Sequence, residues 1–199
     1  MENNVKFFVA GDTKAPQRKN GDAGVDIFIP NLSEQFLRDL AAKNPGQPFR
    51  WGLIGSPKSE EESKAGKGVY LYLPPQEDLL IPTYVHCLLP DNVVLMVTNK
   101  SGICTTQKMV VGADTIDPSY QGMIHIHIFN NSHSLRFLEC GQKIAQLVPK
   151  IFNKEEIEVF YNNQIEEFKE FKNFISVEDF YKDHVSERKS GGFGSTGVQ

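Results

Sequence analysis

Cysteine is scarce in this chain of 199 residues: Cys87, Cys104 and Cys140 are the only three, and no two form a C-x-x-C pair. An odd count at such spacings suggests neither a disulfide framework nor a zinc knuckle. Each is expected to be a partly buried free thiol in a reducing compartment. Long apolar runs are missing too. No stretch approaches the ~18 apolar residues of a membrane-spanning helix, and the start, MENNVKFFVAGDTK, has no charged segment followed by an apolar one. No signal peptide and no membrane partner are therefore expected, and the expected location is cytoplasmic. Blocks of positive charge are also absent. A net charge of −4 and a pI of about 5.8 argue against nucleic acid as the main partner. An anionic substrate would have to be met by a local cluster of cations and backbone N–H groups.

Short β runs divided by Gly, Pro, Asn and Asp clusters dominate what is present. They are Val5–Ala10, Val25–Ile29, Gly68–Pro74, Leu79–Thr83, Val93–Thr98, Met123–Phe129, Leu135–Glu139, Lys143–Lys150 and Ile157–Tyr161. Many short strands at this spacing predict an antiparallel sandwich or barrel. No β-helix-β alternation supports a doubly wound sheet, and there is no internal repeat. Two segments have helical spacing. Residues 33–43 place Phe36, Leu37, Leu40 and Ala41 on one face behind a Ser33 N-cap, and Pro45 and Gly46 end the run. Residues 163–184 space Ile165, Phe168, Phe171 and Phe174 similarly, with Ser176 and Asp179 marking a second short helix. Both read as additions to a β core, and the polar stretch 56–68 reads as a mobile surface loop.

The tail, SGGFGSTGVQ, contains G-x-G-x-x-G over residues 192–197. A dinucleotide fingerprint needs a helix behind its glycines to receive the pyrophosphate, and a P-loop needs Lys followed by Ser or Thr. Gly197 is followed by neither. The tail instead mixes Arg188, Lys189, Ser195 and Thr196 with glycines around Phe193. That mixture suits an arm that closes on a ligand: N–H groups, hydroxyls and a guanidinium for phosphates, a ring for a base.

Four further stretches carry chemistry. GADTIDPSYQG (112–122) is good turn sequence and can also line a pocket, with Asp117 as a base and Tyr120 as a flat wall. NKSGI (99–103) offers Lys100, Ser101 and the Gly102 backbone to a phosphate. AGVDIFI (23–29) puts Asp26 in an apolar strand, where a carboxylate needs partners or a metal. GQKIAQL (141–147) does the same with Gln146, which asks for a hydrogen-bond partner. His125 and His127 share a strand face, and a packed or interface-facing pair is the stronger reading than a metal pair.

In this order, AGVDIF, NKSG, GADTIDPSYQG, GQKIAQL and RKSGGFGSTG resemble the five motifs of the trimeric dUTPase family, over residues 23–197. The resemblance implies an all-β, jelly-roll-like subunit, a distorted antiparallel barrel with short helical insertions at about 31–67 and 160–184. It divides the chain into a β domain (1–185) and a flexible C-terminal arm (186–199). It implies a homotrimer with active sites shared between subunits, and hydrolysis of dUTP to dUMP and pyrophosphate with Mg²⁺, which would lower dUTP and supply dUMP.

Asp117 would then be the general base for water attacking the α-phosphorus. Asp26 would hold the metal through its waters or order the site. Lys100, Ser101, Gly102 and Gln146 would serve the phosphates, and Tyr120 would pack under the deoxyribose. Backbone groups of Val111, Gly112 and Ala113 would read the uracil edge. Phe193 would cover the base, and Arg188, Gly194, Ser195, Thr196 and Gly197 would close on the β- and γ-phosphates. The family usually has Arg in place of Lys100, often Arg in place of Gln121, and commonly Gly in place of Asp114 and Lys189. Lys keeps the charge without the bidentate fork. Two other readings stand beside hydrolysis: a dCTP deaminase of the same fold, and a dUTPase that also binds a regulatory protein through its insertions.

Overall fold

The computed structural model describes residues 4–46, 50–53 and 69–152. The expected strand at Ile157–Tyr161, the helix over 163–184, the loop over 56–68 and the whole arm lie outside the described residues. Within them the chain is mostly β. In order come β1 (Lys6–Val9), β2 (Val25–Phe28), α1 (Glu34–Lys43), β3 (Arg50–Leu53), β4 (Val69–Leu73), β5 (Asp78–Pro82), β6 (Val85–Leu88), β7 (Val93–Asn99), α2 (Ser101–Gln107), β8 (Met109–Val111), β9 (Thr115–Ile116), β10 (His125–Asn130), β11 (Arg136–Glu139) and β12 (Lys143–Ile151).

All pairings of these strands are antiparallel. They form four small sheets, ordered β1-β6, β5-β10-β8, β11-β4-β3 and β2-β12-β7-β9. Period-two burial is clearest in β10: Ile126, Ile128 and Asn130 are buried, while His125, His127 and Phe129 face outward and are half-buried. The buried aliphatics of these strands, Ile27, Leu71, Leu79, Leu95, Ile126, Ile144 and Leu147 among them, make one core. Truncating one of these to Ala typically costs ~2–5 kcal/mol.

Ser33 caps α1, accepting from Phe36 N–H at 3.1 Å. Phe36 and Leu40 on this helix are fully buried, so the first of the two added segments contributes to the core. Asn44, just past the helix, closes it. Its amide donates to Leu40 O (2.7 Å) and Leu80 O (2.9 Å), and its Oδ1 accepts from Leu80 N–H (2.7 Å). One side chain thus ties α1 to β5. Four strands (β3, β6, β8, β9) and α2 go beyond the runs read from the sequence. Cys87 and Cys140 are buried free thiols and Cys104 is half-buried. No helix among the described residues is long and apolar enough to cross a membrane.

Candidate active site

Three strands of one sheet bring the polar residues of three motifs together. Gln146 on β12 stands opposite Asp26 on β2 and opposite Thr98 on β7. The register of β12 against β2 shifts between Lys143 and Ala145. In a regular strand Lys143 and Gln146, three apart, would point to opposite faces. The extra residue restores parity, so Lys143 lies opposite Phe28 on the face that carries Asp26. Bulges re-aim side chains in this way beside functional sites.

Asp26 is 3% exposed. Its Oδ1 accepts from Lys100 Nζ, and its Oδ2 from Lys143 Nζ at 2.5 Å. Burial alone would push this carboxyl group up. The hydrogen bonds and charges of Lys100 and Lys143 outweigh burial and hold it below its ordinary value. The one carboxylate and two ammonium groups of this cluster sum to a net charge of +1. Both ammonium groups keep about a third of their side chain exposed, at 28% and 35%. Ser101 and Gly102 open α2 next to them and are exposed. The Gln146 amide reaches Gly24 O at 3.5 Å. Lys143 was not among the residues singled out from the sequence, because a bulge leaves no signature in an apolar run.

A hairpin of different character joins this sheet to the next. β8 pairs with β10, and β9 pairs with β7. Val111 N–H donates to Asn99 Oδ1 (2.7 Å), and Gly112 N–H donates to His127 O (3.0 Å). Two of the three backbone donors expected to read a base are thus committed within the chain, and Ala113 follows them, exposed. Beyond the hairpin, Tyr120 N–H donates to Asp117 O (3.1 Å), closing the Asp-Pro-Ser-Tyr turn. Tyr120 Oη donates to Met123 O at 2.6 Å. The ring lies against buried Gly122, where a Cβ would stand 2.5 Å from Tyr120 Cζ. Tyr120 is therefore held as a fixed flat surface.

Asp117 does not join the Asp26 cluster within one chain. Leu95 pairs with Ile116 and Met96 with Thr115, so the register carries Asp117 toward the start of β7. Lys100 lies past the other end. At ~3.3 Å per residue the two are separated by roughly 20 Å of strand.

His125 and His127 share a face as expected. His125 Nδ1 lies 2.8 Å from Met123 O, and His127 Nε2 lies 2.6 Å from Asp78 Oδ2. Among the described residues no group of three or more His, Cys, Asp or Glu could hold a metal ion. Asp26 has both oxygens on lysines, so a hydrated Mg²⁺ would reach it only by displacing one. Arg188, Phe193, Gly194, Ser195 and Thr196 lie outside the described residues.

The described residues form an antiparallel β protein with a cationic sheet end and a glycine-backed hairpin. The sequence profile of the dUTPase family matches residues 68–197, well over half the chain, and the protein belongs to that family. It is similar to the deoxyuridine 5'-triphosphate nucleotidohydrolase of Oryza sativa subsp. japonica, 29% identical over 126 residues, covering 63% of this chain and 62% of that protein. The chain thus spans less than two thirds of this relative. The Candida albicans protein of the same name is 30% identical over 153 residues, covering 72% of this chain and 85% of its own length. Among solved structures, a Staphylococcus bacteriophage 80alpha dUTPase mutant with dUpNHpp superposes over 98% of this chain and 99% of its own, with a TM-score of 0.54 and 22% identity. That likeness establishes the fold.

Proposed function

We propose that the protein hydrolyses dUTP to dUMP and pyrophosphate. The observation that carries this reading is the family match over residues 68–197, which contains four of the five motifs in order, including Asp117, Tyr120 and the GGFGSTG tail. The chemistry of the described residues supports it. A net positive sheet end with Lys100, Lys143, Ser101 and Gln146 suits a polyphosphate. Tyr120, clasped over Gly122, offers a wall to a deoxyribose, where a 2′-hydroxyl would find no room. Ala113 N–H and the hairpin carbonyls would read the base edge.

Asp117 is the proposed general base. A carboxylate positioned beside the water that attacks the α-phosphorus can take its proton. When bound, Mg²⁺ would neutralise phosphate charge, and it would be held by phosphate oxygens and its own waters, as that ion prefers. Because Asp117 and the Lys100 cluster lie at opposite ends of β7, we place the complete site between chains, in a homotrimer. The arm, with Arg188, Phe193, Gly194, Ser195 and Thr196, would close over the same nucleotide. The cytoplasm remains the proposed location.

Asp117→Asn tests the assignment. Nucleotide binding should persist while pyrophosphate release from dUTP falls by ~10³ or more. Near-wild-type turnover would remove Asp117 from the role of base.

A further inference from the structure

On the outward face of the β5-β10-β8 sheet, Asp78 on β5, His127 on β10 and Gly112, the residue just past β8, lie side by side. Asp78 Oδ2 lies 2.6 Å from His127 Nε2. The other edge of the imidazole lies against Gly112. A Cβ built on Gly112 would overlap His127 Nδ1 and stand 2.6 Å from its Cε1. The main chain joins the same two residues, Gly112 N–H donating to His127 O at 3.0 Å. Gly112 is not among the residues with positive φ, so glycine serves here for room rather than for backbone freedom.

Core packing does not account for this histidine. The His127 and Asp78 side chains are 31% and 35% exposed, and the core face of β10 is made by Ile126 and Ile128. A carboxylate hydrogen-bonded to one ring nitrogen fixes the orientation of the ring. What the fixed ring supports is the backbone of Gly112, one residue before the exposed Ala113.

We propose that His127, braced by Asp78, is a positioning residue for nucleobase recognition. Its imidazole fills the space beneath Gly112 and sets the height of the hairpin that reads the base. The proposal rests on the dUTP reading above. The hairpin grips the base equally before and during the reaction, so its misplacement weakens substrate binding rather than the chemical step.

The test is a double-mutant cycle at Gly112 and His127, with pyrophosphate release from dUTP and dCTP as the readout. His127→Ala should raise KM for dUTP about tenfold, change kcat less than about twofold, and narrow the preference for dUTP over dCTP. Gly112→Ala should lower kcat/KM by about 100-fold, because its Cβ strikes the ring. Adding His127→Ala to Gly112→Ala should recover about tenfold of that loss, where independent effects would deepen it. Asp78→Ala leaves the ring in place but unbraced. It should give the same KM-only change in smaller measure, and it decides the matter if His127→Ala does not fold. Wild-type KM and base preference in the single variants, or a double variant no better than Gly112→Ala, overturns the proposal while wild-type turnover of dUTP leaves the hydrolase reading standing. No pyrophosphate from dUTP with the unaltered protein would end that reading, and this proposal with it.

Discussion

Asp26 is anionic, almost fully buried, and held by two lysines that come from different motifs. Removing both lysines would leave the buried carboxylate without a counterpart, which typically costs ~3–5 kcal/mol. That Asp26 needed partners was legible in the sequence, because a carboxylate inside an apolar strand cannot stand alone. Which partners it has was not legible. Lys143 reaches it through a register shift in β12, and Lys100, two residues beyond Thr98 of β7, reaches it across β12.

His125 carries a residue-scale prediction. Burial first, and then the charges of Lys43 and His86, push this imidazole down to about 4, although its bond to Met123 O acts the other way. Between that value and the ordinary histidine value of about 6.5, the unfolded chain binds a proton that the folded chain does not. Stability therefore rises with pH across this window and is lost on acidification through it. Melting temperature should fall as pH drops from 6.5 toward 4, by an amount equivalent to on the order of 2 kcal/mol. His125→Gln should flatten the dependence. An unchanged slope in that variant would show that other groups carry it.

Among the elements, those with long periodic patterns were the readable ones. Helix α1 was evident from Phe36, Leu37, Leu40 and the Ser33 cap. The alternation of β10 and the apolar run of β7 were equally plain. The two-residue β9 and three-residue β8 have no period to detect. The stretch from Ser101 to Gln107 has no helical period, and its Ser, Gly and two Thr favour turns, yet it is helical, with its end in the left-handed region at Lys108 (φ 56°).

Asn44, the residue just past α1, is not flagged by the pattern, and it joins helix to sheet by three hydrogen bonds. Asn44→Ala should cost ~2–3 kcal/mol, because it leaves buried backbone groups without partners. Urea denaturation would show a lowered midpoint with the slope unchanged; an unaltered midpoint would contradict the clamp. The arm is tested separately. Removing residues 188–199 should abolish dUTP turnover while the assembly survives in size-exclusion chromatography with light scattering. Full activity without the arm would refute its role over the nucleotide.

At the scale of the whole molecule, the polar residues fall into two groups that one chain keeps apart. Asp26, Lys100, Lys143 and Gln146 gather at one end of a sheet, while the hairpin carries Asp117 and Tyr120 toward the other end of β7. The five motifs could be recognised in order along the sequence, but no linear pattern shows which of them meet in space. The register of β7 with β9 shows that Asp117 and Lys100 stand apart within one chain, which supports the proposal that another copy of the chain completes the site. Pyrophosphate release from dUTP, dCTP, dTTP and UTP, each with and without Mg²⁺, is the decisive measurement. Rapid, Mg²⁺-dependent release is expected from dUTP, with the other three nucleotides at least ~10²-fold slower. Ammonia released from dCTP, or no pyrophosphate from dUTP, would contradict the proposed dUTP hydrolysis.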